Sequence, residues 1–490
     1  MAIGGARRAD ASRHRSRLCS TQPGVVGGRR IAVGLRAGTR LSDRPALPAH
    51  RGWHRRVLTL AFPIVLANLT QPILGAVDTA VAGHLGSAAD LGGVALGGLF
   101  FNFVFWGFGF LRMGTTGLVA QALGAGDRDA LRASVVRALM LAFVIGGIIL
   151  LVQGPLMRYA LALIGGSGEV QRIARAYCQA RVGSAPFALA NYVVLGYLLG
   201  TQRVRVALAT QICINLANVI AVLLYVYGFG WGVEGIGAAT ATADALGFVF
   251  GAVVLWHLRP RGLAPFRVGT MFEPAAIKRL ITINRDIFLR TICLLGSFGW
   301  FVHLGAKQGD AILAANALLL NFQTFMAYGL DGFAHAAEAL VGAAIGARDR
   351  QAFRQAVRVN LLWSVLGAFG FSLAYWGTGS WIIEQLTDQT AVRVAAERFL
   401  PWAALSPLIS VWGFLLDGVF IGATRTHELM RSMAISLAIF LAASWVLVGP
   451  FGNHGLWAAL LIFMAARGLT LSPLVPRIAN AIRPAAAQLQ

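Results

Sequence analysis

The sequence predicts an all-α integral membrane protein with twelve transmembrane helices in two six-helix bundles related by a parallel internal repeat. Three observations predict it. Of 490 residues 57% are hydrophobic and only 13% are charged, against roughly 25% charged in soluble chains. Twelve apolar stretches are each long enough to cross a bilayer, which takes about 20 residues. Short motifs also recur about 222 residues apart. The 58 glycines fit the same class, because small residues let membrane helices approach closely.

The elements follow in order. Residues 1–52 form an Arg-rich segment, with 13 arginines in residues 1–56 against Asp10 and Asp43, half of the formal charge of +22. It lacks the apolar core of a secretory signal and reads as a disordered cytoplasmic tail; an upstream mis-start and an organelle transit peptide stay open as alternatives. The first bundle, residues 53–258, carries spans at 57–83, 92–121, 133–160, 170–200, 204–227 and 235–257. A cytoplasmic linker at 259–279 with Arg259, Pro260, Arg261, Gly262 and Pro265 leads to the second bundle, residues 280–480. Its spans lie at 280–306, 311–342, 355–378, 391–423, 428–449 and 455–478. Leu123-Gly124-Ala125-Gly126-Asp127-Arg128 matches Ile345-Gly346-Ala347-Arg348-Asp349-Arg350, and Gly196, Gly200 and Arg203 match Gly418, Gly422 and Arg425. Six spans per half is an even number, so both copies enter the bilayer from the same side and the repeat is parallel. The loops after even-numbered spans hold sixteen basic residues and the opposite loops six; basic residues stay in the cytoplasm, which places both termini there. The charge has no folded nucleic-acid module behind it, so no nucleic-acid partner is expected. Cys19, Cys178, Cys213 and Cys293 are scattered, and neither a disulfide framework nor a metal site is expected from them.

Charge inside a span is costly and usually faces a cavity or a partner. Asp78 has no basic residue within a helical turn or two along its own span, which makes it the candidate proton carrier. Pro63 and Pro72 precede it in the same span and favour a bend. Asp331, His335 and Glu338 are separated by four and three residues and share one helical face. Asp286 and Arg290, at i and i+4, are expected to pair, and Asp417 remains an unpaired acid. Counted this way, the second bundle holds four acids against one base. Arg112 stands in the first half as a charge that offsets an acid elsewhere, Arg181 is expected to snorkel outward, and Asp244 reads as structural. Phe101, Asn102 and Trp106, within the aromatic run at 100–106, offer a surface for flat lipophilic molecules, with lipid contact and packing as the plainer reading. No Walker loop, HExxH or GxSxG motif is present.

Val77-Asp78-Thr79-Ala80-Val81-Ala82-Gly83-His84-Leu85-Gly86, Gly109-Phe110-Leu111-Arg112-Met113-Gly114-Thr115-Thr116-Gly117, Arg285-Asp286-Ile287-Phe288-Leu289-Arg290-Thr291, Asp331 through Gly342, and Leu416-Asp417-Gly418 through Thr426 occur in this order. In these stretches the chain resembles the multidrug and toxic compound extrusion (MATE) family, in its branch named for DNA-damage-inducible protein F. The resemblance implies two bundles in a V that exchange H+ or Na+ for organic, often cationic compounds by alternating access at the bacterial inner membrane. It places the protonation site at Asp78. Where many relatives carry Asn-x-x-x-Asp in span five, Asn218 is followed by Val222, so Asp78 is expected to act with neutral neighbours such as Asn218. The expectation is therefore a proton-coupled antiporter, Na+ being the alternative ion. It is no enzyme, takes no cofactor or metal, and works as a monomer in the lipid bilayer on small organic substrates. Two rivals stand beside it, a flippase for a lipid-linked precursor and a membrane-embedded enzyme built on Asp331, His335 and Glu338.

Overall fold

A computed structural model describes residues 52–85, 87–259 and 268–482. The expected tail, up to residue 51, lies outside the described residues. The helices of the first half are α1 (Trp53–Gly83), α2 (Ala88–Gly107), α3 (Phe110–Ala125), α4 (Arg128–Ile164), α5 (Gly168–Val182), α6 (Ala185–Gly200), α7 (Val204–Leu223) and α8 (Gly232–Leu258). A four-residue helix, α9 (Val268–Met271), precedes the second half. There follow α10 (Pro274–Ala306), α11 (Asp310–Gly346), α12 (Arg350–Leu386), α13 (Thr390–Gly422), α14 (Thr426–Leu471) and the short α15 (Val475–Ala481). α10 starts at Pro274, inside the stretch expected as linker, since Pro at the first helical position has no N–H to lose.

Nine apolar helical stretches among the described residues are long enough to span a bilayer, and ten when α5 and α6, bent by 58°, count as one. The 31-residue α1 is the eleventh. The twelfth comes from α14, which breaks at Gly452 with φ 55° and ψ −130°, beside Pro450, so that its two arms form separate spans. α1 stays helical through Pro63 and Pro72. The second span is interrupted at Phe108–Gly109, between α2 and α3.

The repeat is written into the backbone. Asp127 and Asp349 cap α4 and α12, each accepting a backbone N–H three residues on at 2.8 Å, which satisfies one of the orphan donors of a helix start. The preceding residues at matching positions, Gly126 and Arg348, are both left-handed, at φ 71° and 55°.

Packing repeats as well. In the first half α3 lies against α6, and in the second α11 lies against α13. A Cβ at Gly200 would stand 2.8 Å from the Thr116 carbonyl oxygen, and one at the matching Gly422 would collide with the carbonyl of Glu338. The halves meet along α1 and α3, which pack on α11. Where α3 and α11 end, at the Arg-rich loops, Gly124 faces the Ala343 carbonyl and Gly346 faces the Gln121 carbonyl, each too closely for a side chain. Gln121 Nε2 donates to the Gly422 carbonyl at 2.9 Å, and Arg279 Nη2 donates to Gln121 Oε1 at 3.1 Å. The halves are thus shut against each other at the end bearing the Arg-rich loops.

Candidate ion-coupling site

The interior of the first half holds three charges of its own. Asp78 stands about 7 Å before the end of α1, five residues from Gly83 at the usual helical rise. It is half-buried, and its Oδ1 is shielded from solvent with no hydrogen-bond partner among the described residues. Arg181, at the end of α5, acts electrostatically on both Asp78 and Asp244 of α8. The expectation that Arg181 snorkels outward is overturned. Its Nη1 donates to the Tyr177 hydroxyl at 2.8 Å and its guanidinium lies 4.5 Å from the centre of the Phe101 ring. An aromatic seat holds a cation inside a bundle by hydrogen bond and ring quadrupole together. Asp244 is tied to the α5–α6 bend, its Oδ2 accepting from Ser184 Oγ at 3.0 Å. Asn218 is buried on α7, and its Nδ2 donates to Thr240 Oγ1 at 3.0 Å. No hydrogen bond joins it to Asp78 among the described residues.

The aromatic run divides by face. Phe101 is buried, stacked on Phe105 at 5.4 Å and set edge-on to Tyr177 at 6.3 Å. It therefore floors the Arg181 seat, and for this ring the plainer reading, packing, holds over the cavity lining. Asn102 and Trp106 point out on the other face, Trp106 with half its surface exposed.

In the second half the expected pairing of Asp286 with Arg290 does not form. Asp286 is paired with its neighbour Arg285, Nη2 to Oδ1 at 2.8 Å, and accepts from Thr426 Oγ1 at 3.3 Å. Arg290 reaches across to Asp417 on α13. Asp417 is not unpaired either: the same Oδ2 also takes Arg467 Nη2 of α14 at 2.7 Å. Arg467 is almost fully buried. The sequence signal for it was plain, an arginine in the middle of the last span, yet nothing along the chain says which acid it meets.

Glu338 on α11 pairs with Arg112 of α3 at 3.5 Å, an ion pair joining the two halves. Asp331 lies within electrostatic reach of Arg112, Arg290 and Arg467. His335, a turn before Glu338, has its Nδ1 buried without a partner among the described residues. Around the second half the balance is therefore three guanidiniums, Arg112, Arg290 and Arg467, for three carboxylates, Asp331, Glu338 and Asp417. The expected excess of acid disappears.

Two repeated six-span bundles, shut at one end and lined with paired and unpaired charge, define a polytopic membrane transporter. The MatE family signature matches residues 63–224 and again 287–446, once in each half, and the chain belongs to that family. It is 41% identical over 421 residues to DNA damage-inducible protein F of Escherichia coli (strain K12), covering 86% of this chain and 90% of that one. It is 27% identical over 439 residues to the probable multidrug resistance protein NorM of Geobacillus kaustophilus (strain HTA426), covering 87% and 95% of the two chains. Among solved structures, a MOP superfamily transporter from Pyrococcus furiosus superposes with a TM-score of 0.81 at 16% identity, covering 91% of this chain and 99% of that chain. The bent form of the Vibrio cholerae MATE transporter VcmN gives 0.78 at 19% identity, covering 88% and 98%. At these identities the superpositions speak for the fold. The chain is thus a MATE transporter, a multi-pass membrane protein and no enzyme.

Proposed function

We propose that the protein is a secondary antiporter of the inner membrane, working as a monomer with both termini in the cytoplasm. It exports amphiphilic, often cationic organic compounds in exchange for protons, with Asp78 carrying the coupling proton. The observation that carries this reading is the charge balance of the two halves. Among the described residues three arginines answer three acids around the second half, whereas Arg181 is the one that acts on both Asp78 and Asp244 in the first. An excess carboxylate in low dielectric takes up a proton or a cation. Asp78, Glu338 and Asp417 each keep one carboxylate oxygen buried without a partner among the described residues, and of the three Asp78 is the one that makes no ion pair there. It also sits on α1, which packs both on α7 of its own half and on α11 of the other. A change of charge at Asp78 therefore bears on the seam along which the halves must separate.

The reading is tested in everted vesicles carrying a pH gradient, by fluorescence dequenching when ethidium is added. Wild-type protein is expected to dissipate the gradient on addition of the dye. Asp78→Asn keeps the shape of the side chain and removes the titrating group, so it inserts normally and moves no protons. Dequenching by Asp78→Asn at the wild-type rate would refute the assignment. Dequenching that needs added Na+ would move the coupling ion from H+ to Na+.

A further inference from the structure

The first half holds a second carboxylate that interacts electrostatically with the same guanidinium as Asp78, and the two acids stand on different helices. Asp244 belongs to α8, Asp78 to α1, and Arg181 to the end of α5, where the chain turns through 58° into α6. The guanidinium is fixed by the Tyr177 hydroxyl and the Phe101 ring, neither of which carries charge at neutral pH. Its Nε is buried with no partner among the described residues. Arg181 is thus seated without being committed to either acid. Asp244 is held independently: Ser184 Oγ donates to its carboxylate at 3.0 Å and Asn191 Nδ2 donates to its backbone carbonyl at 2.9 Å.

We propose that Asp244 is the second carboxylate of the coupling site and that Arg181 is a positioning residue shared between it and Asp78. This rests on the reading of Asp78 as the proton carrier. With both acids ionised the three groups sum to one negative charge, and one proton makes them neutral. When that proton sits on Asp78, the attraction of Arg181 is given wholly to Asp244 and the α5–α8 contact tightens around the bend. When the proton leaves, the two carboxylates compete for one cation and α1 is drawn toward α5. Among the described residues the charged and titratable groups that act on the pair are few. Asp78 faces Arg181 and Tyr177 of α5. Asp244 faces Arg181 and, from α6, Tyr192.

The experiment measures ethidium efflux from proteoliposomes holding the full-length protein, as a function of pH. Asp244→Asn leaves Arg181 to Asp78 alone, which favours the ionised form of Asp78. The midpoint of the efflux profile is expected to fall by on the order of one pH unit. Arg181→Gln removes the cation from both acids and moves the midpoint upward. The double variant Asp244→Asn/Arg181→Gln removes one charge of each sign and returns the midpoint toward wild type. Should the glutamine variant fail to fold, the downward shift in Asp244→Asn stands as the test by itself. An Asp244→Asn profile that overlays wild type, while Asp78→Asn is inactive, overturns this inference and leaves Asp78 as the sole carrier. Loss of efflux at every pH in Asp244→Asn, with normal insertion, overturns it too, because Asp244 would then be the carrier itself. Efflux that persists in Asp78→Asn overturns the underlying assignment.

Discussion

The sharpest steric test is Gly346→Ala. A Cβ at Gly346 would fall on the Gln121 carbonyl oxygen, which belongs to the backbone of α3 and has no rotamer by which to move away. Relief requires α3 and α11 to part at the Arg-rich end. Overfilling of a packed contact costs about 1–3 kcal/mol. At about 1.4 kcal/mol per factor of ten, that shifts the balance between the shut and parted arrangements roughly 5- to 150-fold. The reporter is Ala120→Cys in a background lacking the native cysteines. Ala120 is fully buried on α3, against Gly342 of α11. Its labelling by a water-soluble maleimide is expected to accelerate within that range in Gly346→Ala, and efflux is expected to fall because the shut arrangement is penalised. Gly147→Ala is the control: nothing lies within 4 Å of the added methyl, and alanine is the better helix former by about 1 kcal/mol. Equal labelling rates in Gly346→Ala and its parent would show that the contact at Gln121 does not hold the halves together.

Further expectations concern the buried charges. Arg467→Met leaves Asp417 with Arg290 alone, and breaking a buried ionic group by removing one partner costs about 3–5 kcal/mol; the thermal midpoint in detergent should drop by several degrees, and an unchanged midpoint would mean that water reaches the triad. Glu338→Gln and Arg112→Gln should each reduce efflux partially, and a double-mutant cycle on stability should give a coupling of about 1.5–3 kcal/mol for their charged hydrogen bond; strictly additive effects would rule out the bond between the halves. Asn218→Ala should leave proton coupling intact, because Asn218 is engaged by Thr240; complete loss of coupling in that variant would restore it to the site.

Composition, apolar runs and the 222-residue spacing made the fold readable, because a bilayer leaves a chain of this kind few arrangements besides helices that satisfy their own backbones. The site was only half readable. Asp78, Glu338 and Asp417 stood out as acids in apolar surroundings, but their partners come from distant helices. Arg112 lies 226 positions from Glu338, and Arg290 lies 127 from Asp417. The i, i+4 rule proposed Asp286 with Arg290 because it sees one helix face at a time; the fold offered Arg290 a carboxylate on α13 and left Asp286 to Arg285. The environment of Arg181 is hidden from the sequence for a related reason. Its position near a helix end suits an exit to the interface, and only the fold brings Tyr177 and Phe101 around it.

The seats at Gly200 and Gly422 carry a consequence for how the halves differ. In each half a glycine receives a backbone carbonyl, from Thr116 in one and from Glu338 in the other. The contact is made by main-chain atoms, so the side chain on the same residue takes no part in it. A hydroxyl in one copy and a carboxylate in the other sit on the same scaffold without altering how the helices nest. Matching positions can thus carry different electrical character while the two halves keep the same backbone contact there.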